Sequence, residues 1–477
     1  MSNKPNVLLI TTDQQRFDTI QKLGNHSIYT PHLNWLVSQG ITFTRCYADC
    51  PICVPSRTTI MTGKKGYTSG ITNNMNHYKV MTENQTLPSR LTDEGYQTRA
   101  VGKMHFEPPR AHYGFEHMLL PLDYYREYRK KGSHVNPKHH GVGENEVEPV
   151  ISTVHENDSL TTWTVDQSID FIETRDTTRP FFMWTSFSKP HPPLDPCLNY
   201  WTLYQGIDVE SPIYGDWSQD IDKMPQGFLR HTYALNNMHL FKDVQLKEIK
   251  RAYYACITQI DYSLGLLFAR MREEGLFDNT WIIFTSDHGD MMGDHHMGAK
   301  FNYMEGAAHV PFIIKPPTHV MQEYKGKRCS NLVELSDIYP SILEMVGIAP
   351  TAQLDGKSVF DVIKETEDRP FFGNCENNTF CAMKNNIKYM ITRFGGVELL
   401  FDLNKDPYEQ CNLVENEAYY ESLKELREEV KKGIQAYNPE LLQEGHLILD
   451  KAPTHDEDVF KWPGFHSTVC EAVDVLH

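Results

Sequence analysis

A chain of 477 residues can hold one large α/β domain with a smaller companion, or two or three ordinary domains. Its 40% apolar and 23% charged residues fit a soluble globular protein, with no collagen-like, coiled-coil or disordered bias. The excess of 63 acidic over 46 basic residues, a net charge of -17, argues against a nucleic-acid surface and against broad docking on an anionic membrane. An anionic substrate would need a few local cations to receive it.

The amino terminus, MSNKPNVLLITTD, carries an apolar run only from Val7 to Ile10, too short for a signal-peptide core or a membrane span. Nothing later reaches spanning length, so a cytoplasmic location is expected. The ten cysteines are thinly spread, unlike a disulfide-dense secreted scaffold, and reduced thiols are expected.

Short apolar runs rich in β-branched and aromatic residues alternate with segments of helical period, the pattern of a mostly parallel sheet between helices. Four runs end in polar groups. Val7 to Ile10 leads to Asp13 and Gln14, Thr98 to Val101 to Lys103 and His105, Phe181 to Phe187 to Lys189 and His191, and Trp281 to Thr285 to Asp287 and His288. Ligands of open α/β sheets bind beyond the carboxyl ends of the strands, so four deliveries to one rim mark a site. Helices are predicted over 31–38, 160–173 and 246–274 as the coverings of the sheet. From about 369 the texture changes to strands over 370–372, 388–392 and 399–403 and a charged helix over 417–434. This predicts a catalytic domain over 1–368 and a smaller antiparallel sheet with a packing helix over 369–477, ending in an irregular tail from 438. Residues 136–148 are predicted to be a long loop.

Asp13, Gln14, Asp287 and His288 offer two carboxylates, an amide oxygen and an imidazole, a set suited to a hard divalent cation such as Ca²⁺, Mg²⁺ or Mn²⁺. An Asp after a strand is more often a cap or a turn residue, and it is the pairing of two such ends that favours a metal. In "CPICVPSRTTIMTGKK", Cys50 and Cys53 have the spacing of a metal clip, but no second CxxC follows, and the preceding residues do not make a thioredoxin-type unit. Pro55 and the run Ser56 to Met61 read instead as the first turns of a helix, which places side chain 53 at a helix amino terminus facing an anion.

The run Cys53-Val54-Pro55-Ser56-Arg57, continued by Met61-Thr62-Gly63-Lys64, resembles the signature of the type I sulfatases of the alkaline phosphatase superfamily. Gly102-Lys103-Met104-His105, Ser286 to Asp290, Lys300, Glu305 with Val310-Pro311, Leu354 to Lys357, and Leu400 to Leu403 with Asp406-Pro407, Glu409 and Asn412-Leu413 agree in order. The similarity runs from about residue 5 to about residue 415. It implies an alkaline phosphatase-like fold, hydrolysis of small or carbohydrate sulfate esters, and oxidation of Cys53 to formylglycine by a maturation enzyme. The hydrate of that aldehyde is the implied nucleophile, and one divalent cation, Ca²⁺ first among the candidates, is held by Asp13, Gln14, Asp287, His288 and position 53. The resemblance further implies that Arg57 holds the hydrate and that His105 assists elimination. Lys103, Lys300 and His191 receive the anion, with Lys300 or His191 protonating the leaving group, and Asn74 is a candidate contact to the anion.

Many sulfatases have two adjacent acids where this chain has Asp13-Gln14, a tryptophan in place of Met104, and an arginine in place of Lys64 or His309. The Asp-Gln form with a Lys-Pro-His-Pro-Pro context also resembles the phosphonate monoester and phosphodiester hydrolases, which keeps that activity open. An unmodified anion-binding pseudoenzyme is the third reading. His295 and His296 are expected to be solvated loop histidines, Cys46 and Cys50 to be packing residues, and Arg57 is open to a structural role. Trp462 and His466 either fold over the pocket or pack on the surface, and the oligomeric state is left open.

Overall fold

The computed structural model describes residues 4–74, 81, 85–132, 137–138, 140, 142–220, 224, 238–350 and 353–451. The tail residues Trp462 and His466 lie outside them. In chain order the strands of the main sheet are β1 (Asn6–Asp13), β2 (Ile41–Tyr47), β3 (Gln97–Gly102), β4 (His117–Leu119), β5 (Phe181–Pro190), β6 (Thr280–Ser286), β7 (His309–Lys315), β8 (Lys327–Cys329) and β9 (Val333–Glu334). They form one nine-stranded sheet in the order β4-β3-β5-β1-β6-β7-β2-β8, with β9 also pairing β2.

The four strands that sequence reading singled out are consecutive neighbours, β3-β5-β1-β6, and all are parallel. Their carboxyl ends therefore share one rim. Strand β7 runs antiparallel to both β6 and β2, which makes the sheet mixed but mostly parallel.

Every residue of β1 is buried, as expected of a strand covered on both faces. Alternation decides which core each side chain joins. Val7 and Leu9 enter a cluster with Phe182, Ile338 and the helix residues Ile60 and Met61. Leu8 and Ile10 enter the opposite cluster with Leu33, Val165, Ile260 and Leu264. The helices on that second face span Pro31–Gln39, Leu160–Thr174 and Asp243–Glu273, within a few residues of expectation.

A second, four-stranded antiparallel sheet follows, with strands β10 (Phe371–Cys375), β11 (Thr379–Lys384), β12 (Ile387–Thr392) and β13 (Glu398–Asp402) in sequential order. The helix Tyr420–Tyr437 packs on it through Leu423, Leu426, Val430 and Ile434. Sequence reading left out β2, β4, β7, β8, β9 and β11. Of these, β11 has lost the polar-apolar alternation that announces a strand, since its first five residues are all buried.

The two sheets share a core in which Tyr47 and Ile52 meet Phe371, Met383 and Phe401. A buried charge network crosses it. Lys388 Nζ donates to the Tyr303 carbonyl at 2.9 Å and to Glu409 at 2.9 Å, and it is paired with Glu305. Glu409 also accepts the Glu305 N–H at 2.7 Å, and His309 bonds Glu305 at 2.7 Å. Among the described residues no helix is long and apolar enough to cross a membrane.

Candidate active site

The helix that follows β2 spans Cys53–Thr62, with residues 53–61 buried. Nothing in its first turn is acidic, so its positive end is left for an anion. Cys53 stands at its first position. The thiol Sγ lies 3.1 Å from His288 Nε2 and 3.9 Å from Asp13 Oδ1. Potential ligand atoms of Asp13, Cys53, Asp287 and His288 all lie within 4.8 Å of one another, and all four residues are buried. Strands β1 and β6 are neighbours, which is why their ends meet at one point.

Several groups fix these ligands. His288 Nδ1 bonds the Gly289 carbonyl at 3.0 Å, which sets the tautomer and leaves the Nε2 lone pair facing the cluster. Arg57, fully buried, donates from Nε to Asp287 at 2.8 Å and from one terminal nitrogen to Asp13 at 3.3 Å; its other terminal nitrogen reaches Ser186 Oγ at 2.9 Å. Gln14 sits at φ 71°, uncommon for a residue with a side chain, and its N–H donates to Asp287 Oδ1 at 3.0 Å. Its amide nitrogen bonds Asp290, its amide oxygen accepts Lys300 Nζ at 2.6 Å, and its carbonyl accepts the Tyr253 hydroxyl at 2.7 Å.

Lys103 Nζ lies 2.6 Å from Asp13 Oδ2. The strand can deliver it there because position 102 is glycine. At φ 93° a Cβ would stand 1.9 Å from the Ser186 carbonyl oxygen. Gly289 is equally constrained, since its Cβ would meet the Gly306 carbonyl oxygen at 2.0 Å.

The charges do not balance pairwise. Burial works against the charge on Asp13, but Lys103, with Arg57, holds its carboxyl well below the usual carboxylate range. Asp287 is pushed up by burial and by the negative Asp13 beside it. Burial and Asp13 also push the Cys53 thiol up, yet Lys300, His288 and Lys103 win and hold it well below the ordinary thiol value. Burial, then Lys103 and Lys300, keep His191 well below the ordinary imidazole value. Its Nδ1 bonds the Pro192 carbonyl at 2.8 Å, leaving Nε2 open.

The structure thus brings Asp13, Gln14, Cys53, Arg57, Lys103, Asp287, His288 and Lys300 together through direct contacts. His191 follows Pro190, the residue that pairs with Asp13 across β5 and β1. His105 is exposed, at φ 56°, and makes no hydrogen bond to the described residues. Asn74 Oδ1 accepts the Val54 N–H at 3.1 Å, so it satisfies a free donor at the start of the Cys53 helix. Cys46 and Cys50 pack in separate hydrophobic clusters.

One expectation is overturned. His295 is buried rather than solvated: it bonds Ser218 Oγ at 2.8 Å and stacks on Trp217 at 4.6 Å, while His296 is half-buried against Tyr214. The loop folds back under residues 213–218, which sequence spacing does not reveal. Sequence reading also gave no role to Ser186, Tyr253 or Asp290, the last of which it placed only within the motif Ser286 to Asp290. Asp290 had a signal, being three residues past Asp287; the other two act through long-range hydrogen bonds that leave no local pattern.

Comparison with known proteins agrees with this geometry. The sequence model of the Sulfatase family matches residues 5–348, and that of the N-sulphoglucosamine sulphohydrolase C-terminal region matches residues 293–436. An arylsulfatase of Clostridium perfringens is 33% identical, over 94% of this chain and 98% of its own length. A choline-sulfatase of Rhizobium meliloti is 27% identical over 87% of this chain and 83% of its own. Among solved structures, the phosphonate monoester hydrolase of Agrobacterium radiobacter superposes with a TM-score of 0.77 at 22% identity, covering 91% of this chain and 96% of that one. A protein solved with its substrate D-glucosamine-2-N,6-O-disulfate superposes at 0.73 and 20% identity, covering 92% and 99%. With the motifs, the sheet order and the full-length relative in agreement, this chain belongs to the sulfatase family, the sulfuric ester hydrolases of the alkaline phosphatase superfamily.

Proposed function

We propose that the chain hydrolyses small or carbohydrate sulfate esters with a formylglycine made from Cys53 and one divalent cation, Ca²⁺ before Mg²⁺ or Mn²⁺. The observation that carries this reading is the convergence of the Cys53 side chain on Asp13, Asp287 and His288 at a helix amino terminus, within 4.8 Å. The donor set fits a hard cation: two carboxylates too close to be charged comfortably together, an imidazole whose Nε2 faces them, and the Gln14 amide oxygen next to them. A divalent cation bound there would lower the pKa of a hydroxyl offered at position 53 and draw the sulfate oxygens toward it.

As a thiol, Cys53 has no oxygen to offer. The formylglycine hydrate has two hydroxyls on one carbon. Such a hydrate at position 53 would supply one hydroxyl, freed of its proton, to form a bond to sulfur as the sulfur–alcohol oxygen bond breaks, and a second whose deprotonation would expel sulfate and restore the aldehyde. Arg57 holds Asp13 and Asp287 in place. Lys103 and Lys300 face the anion, and they stabilise most strongly the charge that grows on the leaving oxygen. Without substrate, burial and these lysines hold the His191 imidazole well below its ordinary value; a bound sulfate would offset the lysines and favour a proton on His191 Nε2, where the leaving oxygen can take it. By family resemblance His105 assists elimination and Asn74 contacts the anion.

A second reading is a phosphonate monoester or phosphodiester hydrolase with the same groups. Gln14 in place of an acid, the Lys-Pro-His-Pro-Pro context and the likeness in fold to a phosphonate monoester hydrolase favour it. The test has two parts. Mass analysis of tryptic peptide 46–57, from protein made in a host with a maturation enzyme, should find the aldehyde at position 53. Aryl sulfate, aryl phosphonate and phosphodiester substrates should then rank with sulfate first. Efficient diester turnover beside background sulfate hydrolysis would make the second reading correct, and an unmodified thiol with no turnover would leave an anion-binding protein.

A further inference from the structure

Three largely covered groups next to the site take no part in it: Lys189, Asp195 and His140. Lys189 is the last residue but one of β5, and its side chain turns back over the loop it begins. Nζ donates to the Pro193 carbonyl at 2.6 Å and approaches the His191 carbonyl at 3.5 Å. It is also ion-paired with Asp195 Oδ1. The other carboxylate oxygen of Asp195 lies 2.8 Å from His140 Nε2. The His140 tautomer is fixed, because its Nδ1 accepts the Thr153 N–H at 3.0 Å, so Nε2 carries the proton that Asp195 receives. The side chains of His140 and Asp195 are 3% and 7% exposed. Two backbone bonds, Val150 N–H to the Leu194 carbonyl and Ser152 N–H to the Pro196 carbonyl, both 3.1 Å, lay the 150–152 segment along the same loop.

We propose that Asp195 is a positioning residue for the leaving-group end of the site: through Lys189 and His140 it clamps the loop 189–195 that carries His191. The lysine gathers the carbonyls of residues 191 and 193, Asp195 supplies the countercharge that keeps this lysine in place, and His140 anchors Asp195 from the far side. A buried lysine without its carboxylate would swing toward water and release both carbonyls. His191 would then lose the fixed placement on which proton transfer depends. Small displacements of this kind cost about 10²-fold in rate. The inference rests on the role given above to His191.

Aryl sulfates with leaving phenols from strongly acidic to weakly acidic separate the possibilities. The mature enzyme carrying Asp195→Asn should lose about 10²-fold in kcat/KM for the poorest leaving groups, mostly in kcat, and under about 3-fold for the best. Formylglycine and metal content should match the parent, and Asp195→Glu should recover part of the loss. His140→Gln, which leaves the lysine pair intact, should show the same slope against leaving-group acidity with a smaller amplitude, and serves if Asp195→Asn does not fold. His191→Ala should show the full slope, and its combination with Asp195→Asn or His140→Gln should lose little more. A uniform loss across the series in Asp195→Asn and His140→Gln, with His191→Ala still sloped, would overturn the clamp alone. A flat His191→Ala series would overturn the His191 role and the clamp with it.

Discussion

Two buried charge clusters in the molecule are built to different ends. Around Lys388, Glu305, Glu409 and His309 the charged groups bond mainly one another, across the junction of the two sheets. Around Asp13, Asp287 and His288 the charged groups are also bonded, but their potential ligand atoms and that of Cys53 gather within 4.8 Å of one another. Buried charge by itself therefore does not mark chemistry. The convergence of potential ligand atoms on a common point does, because holding two carboxylates that close together costs energy that a bound cation offsets.

Five experiments would break or sharpen this contrast. The largest effect is expected from Cys53→Ala, which should lower kcat by at least about 10⁴-fold while circular dichroism and melting stay close to the parent; normal turnover would remove the assigned nucleophile. Stripping divalent cations with a chelator, or replacing His288 by Ala, should cost about 10²-fold in activity. Ca²⁺ should restore the stripped parent, and failure of any divalent cation to do so would count against the metal reading.

The network between the sheets should respond in the opposite sense. Lys388→Met leaves two buried carboxylates without their cation, and urea unfolding should show a loss of about 3–5 kcal/mol, with near-normal kcat/KM in the protein that remains folded. Asp287→Asn removes one of two facing carboxylates and should abolish activity with little loss of metal-free stability. If both variants lose stability equally, the distinction between the clusters fails.

A smaller effect should appear in the pH dependence of stability. Burial pushes Glu409 up to about 7, against the pull of Lys388. A raised carboxyl pKa means that the native state holds the proton more tightly than the unfolded chain. Its stabilising contribution is full below about 4.5 and is lost as pH rises through about 7. Relative to Glu409→Gln, the parent should lose on the order of 2 kcal/mol across that window, and parallel curves would refute this role. The smallest change is expected from Asn74→Ala, which removes the acceptor for Val54 N–H and should cost about 1 kcal/mol in stability. A rise in KM without that loss would make Asn74 an anion contact rather than a cap.

Much of the site was legible in the chain because its groups sit immediately after strands or at a helix start. Asp13, Lys103, Asp287 and His288 each follow an apolar run, and Cys53 precedes a proline that begins a helix. What was not legible shares a different property. Ser186, Tyr253 and the Asp195–His140 contact act through partners tens to hundreds of residues away, and no period or spacing encodes such a bond. His295 shows the same limit from the other side: two adjacent histidines in a polar stretch read as solvated, yet residues 213–218 cover the first of them.

The amino-acid sequence by itself determined the parallel strands, the covering helices, the change of texture near residue 369 and the motif that begins at Cys53, because hydrophobic period and local backbone chemistry are written residue by residue. Only the tertiary structure decided that β3, β5, β1 and β6 lie side by side, that Arg57 spans Asp13 and Asp287, and that one lysine is spent on a loop while another faces the site. Strand order and charge pairing come from how distant segments pack, and packing minimises the energy of the whole chain rather than of any stretch of it.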